Sequence, residues 1–120
     1  MATIKSYSDL QQSKKLAKIL PLESADMMWT YDFTVNDING INVISNTLKL
    51  EEKDVPAWSL ASLLDVLPYP QLSKDKLGSG KVGWMVSVYP NDCRYDSCWH
   101  NNPIDACVDM IEKLKELNLL

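Results

Sequence analysis

The chain has 120 residues, 46% of them hydrophobic and 23% charged, with a formal net charge of −4. That is one domain's length at a globular composition, which excludes disorder and low complexity and allows a single real core. No apolar run approaches the roughly 20 residues of a membrane span, and the N-terminal MATIKSYSDL lacks the basic and apolar blocks of a secretory signal. Residues 1–120 are therefore expected to form one domain of a cytoplasmic protein.

A helix is expected to open at Ser8, where Ser8 and Gln11 stand at capping-box spacing and can satisfy each other's orphan backbone N–H groups. Leu10, Leu16, Ala17, Ile19 and Leu20 gather toward one side, Lys14, Lys15 and Lys18 take the other, and Pro21 ends the element. Over residues 28–35, Trp29, Tyr31, Phe33 and Val35 alternate with Met28, Thr30, Asp32 and Thr34, the two-residue period of a half-buried strand. Asn39-Gly40 then reads as a hairpin turn, because both residues accept positive φ, with Asp37, Ile38 and Asn39 available to lengthen the loop, the register left open, and a return strand from Ile41 to about Leu50.

Residues 51–54 form a charged break, and Pro56 predicts the first turn of a second helix running through WSLASLLDVL. Leu60, Ala61, Leu64 and Leu67 make its apolar stripe, widened by Leu63, and Pro68 and Pro70 stop it. Residues 68–81 hold the Pro, Gly and Ser of a loop. The LGSGK within it is not a phosphate loop, since Lys81 is followed by Val82 and a strand rather than by Ser or Thr and a helix. Val82, Trp84, Val86 and Val88 alternate as a third strand that ends before Pro90.

After an irregular stretch, Asn102 as cap, Pro103 in the first turn and Asp105 at the positive end of the dipole announce the last helix. Its stripe is Ile104, Cys107, Val108, Ile111 and Leu114, with Leu117 at the edge and Asp109–Lys113 as a salt-bridge spacing on the other side. The order α-β-β-α-β-α predicts an α+β fold, a small, mainly antiparallel three-stranded sheet packed by three helices. No internal repeat of solenoid length is present.

Chemistry-bearing side chains crowd between Pro90 and Pro103. Cys93, Cys98, His100 and Cys107 offer thiolate and imidazole groups that suit zinc, but the spacing C-x4-C-x-H-x6-C has no paired knuckle. Cys107 also lies on the apolar stripe, where cysteine serves as a small hydrophobe, and the odd cysteine count speaks for reduced thiols. Cys98 or Cys93 with His100, beside carboxylates such as Asp96, could instead make a nucleophile–base pair for a small hydrolase or zinc-dependent activity; no catalytic-cysteine signature surrounds them. Tyr95, Trp99, His100 and Asn101 form an amphipathic rim before the last helix that could receive an anion or a peptide carboxylate. Equally, Tyr95 and Trp99 would cover the edge of the core while Asn102 caps.

Four Trp and five Tyr against one Phe favour an exposed aromatic patch that meets a protein partner or a second copy in a homodimer. Residues 1–20 carry four Lys against one Asp, and residues 21–60 carry seven acids against two Lys. With Arg94 the sole arginine, the charge balance argues against nucleic-acid binding through the first helix. No cofactor and no membrane contact are expected, and the favoured role is that of a non-enzymatic accessory or interaction protein.

Three stretches carry a resemblance: PAWSLASLLDVLPYPQL, GWMVSVYP and RYDSCWHNNPIDACVDMIEKLKELNLL. They resemble a group of small proteins from prophages and other mobile elements of gut Bacteroidales. The likeness includes QQSKKLAKILPLESADM near the start and is sharpest at WHNNPIDACVDMIEKL. It implies a mobile-element setting and carries over no catalytic or binding residue. The helix, strand, and polar loop running into a helix with Ala106-Cys107 also resemble the phage ABA sandwich domain over about half the chain, a likeness of fold that does not fix function.

Overall fold

Residues 5–44 and 53–120 are described by a computed structural model. The elements run α1 (Leu10–Leu16), a 3-10 turn (Leu22–Ser24), β1 (Met27–Asp32), β2 (Asp37–Val43), β3 (Val55–Ala57), α2 (Leu60–Val66), β4 (Gln71–Lys76), β5 (Val82–Val88), β6 (Tyr95–Asp96) and α3 (Pro103–Glu116). This is an α+β fold in which the expected order α-β-β-α-β-α holds roughly, with β3, β4 and β6 as additional strands. Its strands, however, form two three-stranded antiparallel sheets, β2-β1-β3 and β4-β5-β6, in place of one. The chain divides into two units: Tyr7–Ser62, and Leu63–Leu120 together with Lys5 and Ser6. The boundary falls inside α2.

In the first of these, Asp9 rather than Ser8 caps α1. Its carboxylate accepts the Gln12 N–H at 2.8 Å while the Gln12 side chain accepts the Asp9 N–H at 3.1 Å, a capping box one residue later than expected. Ser8 is diverted into the interior: its Oγ accepts the Trp58 N–H at 3.1 Å and shares a 2.7 Å hydrogen bond with the Ser13 hydroxyl, all three residues being fully buried. Burying a hydroxyl is tolerable only when it is paired, and these pair with one another. The helix stops at Leu16, well before Pro21.

The β1–β2 turn lies at residues 33–36, not at Asn39-Gly40. Asp32 closes it locally, accepting the Thr34 N–H at 2.8 Å and the Thr34 hydroxyl at 2.6 Å, and Asn36 takes the left-handed conformation with φ 54°. Thr30 pairs with Gly40 and Tyr31 with Ile38, so Asn39 is an extra residue in a β-bulge and Gly40 is an ordinary strand residue. The far part of the expected return strand, residues 45–50, lies outside the described residues. Pro56 sits in β3 opposite Met28 rather than in a helix. An edge strand suits a residue that cannot donate to a neighbour. The helix α2 starts only at Leu60, with the Ser59 hydroxyl accepting the Ser62 N–H. Ser59 is in turn held by Asp26, whose carboxylate accepts both its N–H, at 2.9 Å, and its hydroxyl. Burial pushes the Asp26 carboxyl up, but these hydrogen bonds prevail and hold it below the usual range.

In the other unit, residues 71–76 of the expected loop form β4, in register with β5 from Gln71–Ser87 to Lys76–Val82. The connection is a tight turn in which the Gly80 N–H reaches the Leu77 carbonyl at 2.8 Å and Gly80 adopts φ 86°. The helix α3 is as expected: the Asn102 side chain accepts the Asp105 N–H at 2.9 Å, Pro103 follows, and Ile104, Cys107, Val108, Ile111 and Leu114 are all buried. On α2, by contrast, Ala61 is exposed and Leu63 is the buried position, with Leu67 buried just past the helix end. No helix among the described residues is long and apolar enough to cross a membrane.

Candidate functional site

The segment from Cys93 to Asn102 is held by the body of its unit. The Trp84 and His100 backbones exchange two hydrogen bonds, at 2.7 and 2.8 Å, which attach the segment to β5 beyond β6. From α3, the Asp109 carboxylate accepts the Cys98 N–H at 3.0 Å and a hydrogen bond from His100 Nε2 at 2.9 Å. Burial pushes the Asp109 carboxyl up, yet these two donors outweigh it and keep it below the ordinary range. A carboxylate can only accept, which places a proton on Nε2. Lys113, expected to pair with Asp109, makes its hydrogen bond to the Asp96 carbonyl at 2.9 Å while its charge still helps to hold the Asp109 carboxyl down.

The candidate residues of this segment are therefore dispersed. Tyr95 is half-buried in β6 opposite Val88; Trp99 is 41% exposed and lies against Gly83; Asn101 is exposed. A Cβ built on Gly83 would stand 3.1 Å from the Trp99 ring, so glycine is what lets the indole lie on the sheet. Cys93 and Cys98 are exposed, whereas Cys107 is buried, its thiol pushed up to about 12 by burial. Among the described residues no group of three or more His, Cys, Asp or Glu side chains is placed to hold a metal ion, and the set Cys93, Cys98, His100 and Cys107 is not assembled. The imidazole Nε2 is engaged by a carboxylate rather than by a sulfur. Next to it, Arg94 and the Ser87 hydroxyl both bind Asp96, at 2.8 and 2.6 Å, and hold that carboxyl below its usual range. The bonds to Ser87 fasten a short strand to its sheet, and the one to Asp109 fastens the segment to α3.

A second feature lies on the β1–β2 hairpin, and the sequence reading did not single it out. Phe33 and Val35, expected from the alternation to be strand residues, stand at the turn and are 71% and 56% exposed. The Phe33 ring meets Tyr31 edge-on, centroids 4.9 Å apart at 74°. Tyr31 is itself fixed: its N–H donates to Asp54 Oδ1 at 3.3 Å and its hydroxyl donates to Asn36. The Lys53 ammonium lies over both rings, 4.5 Å from the Tyr31 centroid and 5.3 Å from that of Phe33. Asp32 and Asp37 face one another at the last rung of the ladder. Hydrogen bonds from Thr34, with a further one from Asn39, hold the Asp32 carboxyl below its usual range, so it carries charge. The signal available in the sequence was Asn36-Asp37, a pair suited to turns that competed with Asn39-Gly40 only a few residues on.

Comparison with known proteins returns no matching family model, no matching curated protein and no matching solved structure.

Proposed function

We propose that this chain is a non-enzymatic interaction protein, an accessory factor of a phage or mobile element, that meets a protein partner through the tip of its β1–β2 hairpin. One observation carries the reading: two bulky apolar side chains, Phe33 and Val35, occupy a turn and remain mostly in water. Turns are normally made of Gly, Asn, Asp, Ser and Pro, and beyond the edge contact of Phe33 with Tyr31 this apolar tip buries little surface in its own hairpin. Where a sequence departs from a local rule without a gain in folding, a binding role supplies the reason. Aromatic side chains of this kind are enriched in protein interfaces.

The hydrolase or zinc-dependent alternative on Cys98 and His100 draws less support. Nucleophilic catalysis needs the base within reach of the thiol; Asp109 orients the His100 ring through Nε2, but among the described residues no hydrogen bond joins that ring to Cys98.

The test is a photo-crosslinking amino acid placed at position 33 in the full chain within the host cell, with position 11 on α1 as the control. An adduct specific to position 33 that disappears with Val35→Asp supports the proposal; equal labelling from both positions, or none from 33, refutes it. Light scattering on the purified chain decides whether the adduct is a second copy.

A further inference from the structure

We propose that the hairpin tip receives a cationic side chain from a basic, Lys- or Arg-bearing segment of its partner, and that Lys53 occupies this position in the free protein. The inference rests on the tip being the contact surface and adds the chemistry of what it contacts. Tyr31 and Phe33, set edge to face, present two ring surfaces to one small volume, and an ammonium already sits there. Both distances, 4.5 and 5.3 Å, fall within the roughly 6 Å reach of a cation–π contact. The occupant is exposed and reaches the rings on a flexible stem, so another cation can displace it at small cost.

The surroundings favour such an exchange. Asp32 and Asp37 oppose each other across the ladder, and like charges placed directly opposite are mutually destabilising. The two carboxylates place negative charge at the same end of the hairpin, which favours a basic segment there. Across residues 21–60 seven acidic side chains face two lysines, so the longer-range field also attracts a basic segment. The apolar faces of Phe33 and Val35 then cover the stem of the incoming side chain.

Fluorescence anisotropy of a fluorescein-labelled octalysine peptide, titrated with the full chain, tests this. The same peptide with every lysine acetylated serves as the uncharged control, since acetylation removes the cation. Octalysine should bind and the acetylated peptide should not. Phe33→Leu, which keeps an apolar group but removes the ring, should weaken binding by about three- to fivefold. Lys53→Ala, which removes the resident cation, should tighten it by about two- to threefold, whereas Lys14→Ala on α1, an equal change in net charge, should leave it near wild type. Equal binding of both peptides, or affinity indifferent to Phe33→Leu and to Lys53→Ala, overturns the inference. If the crosslink at position 33 still forms in that case, the contact surface stands and only its cation specificity is lost; if the crosslink also fails, the surface itself is refuted.

Discussion

Removing the Asp109 carboxylate, as Asp109→Ala, would release the segment around His100 from α3. Two hydrogen bonds disappear: one from the exposed Cys98 N–H at 3.0 Å and one from the half-buried imidazole at 2.9 Å. The first is open to water and contributes about 0.5 kcal/mol; the second contributes about 1 kcal/mol, because a third of the Asp109 side chain remains in solvent and screens the charge. The sum, about 1.5 kcal/mol, is roughly a tenfold change in local opening. Amide hydrogen exchange reads that directly: protection at Cys98 and at His100, whose N–H is bonded to the Trp84 carbonyl, should fall about tenfold, while the middle of α3 keeps its protection. The sign of the pH dependence follows from the lowered Asp109 carboxyl. The folded state binds fewer protons at this group than the unfolded chain, so its contribution is complete above the usual carboxylate range and is lost as pH falls through the folded value. Wild type and Asp109→Ala should therefore converge as the pH drops below about 4. Unchanged protection at both amides at neutral pH, or an equal loss throughout the chain, would refute the view that Asp109 seats this segment.

Gly83→Ala should destabilise the fold by about 1–2 kcal/mol, because the new Cβ would meet Leu77 Cδ1 at 2.9 Å and the Trp99 ring at 3.1 Å. Urea denaturation followed by tryptophan fluorescence measures it, and Trp99→Ala in the same chain should recover part of the loss. Iodoacetamide should modify Cys93 and Cys98 in the native protein and reach Cys107 only after denaturation, since burial keeps that thiol protonated as well as covered. Mass spectrometry showing three adducts at equal rates before unfolding would contradict the described packing.

The elements legible in the sequence are those whose determinants are local. In α3, the cap Asn102, Pro103 at the first turn and the stripe from Ile104 to Leu114 lie within a few residues of one another, and each took the predicted place. The strand β5 was equally plain in its extent, Val82 to Val88, although its burial does not alternate: Val82 is exposed and Ser87 is buried between Val86 and Val88. By contrast, β4 is polar apart from Leu72 and reads as loop; pairing with β5 makes it a strand. Pro56 fits a helix start or an edge strand equally well by its own geometry, and the neighbouring β1 makes it the latter.

Candidate sites divide along the same line. The sequence by itself determined that Cys107 faces inward and that Asn102 caps, because helical periodicity and capping are properties of adjacent residues. Only the tertiary structure decided that His100 turns to Asp109 and that Cys93, Cys98 and Cys107 do not converge on it. It likewise decided that Phe33 stands in solvent at a turn beneath the Lys53 ammonium. The alternation from Trp29 to Val35 is the same whether the strand ends at Asp32 or runs on. Two hydrogen bonds from Thr34 to Asp32 and the left-handed Asn36 end it there, and the placement of one turn thereby exposes an aromatic ring that periodicity alone would bury.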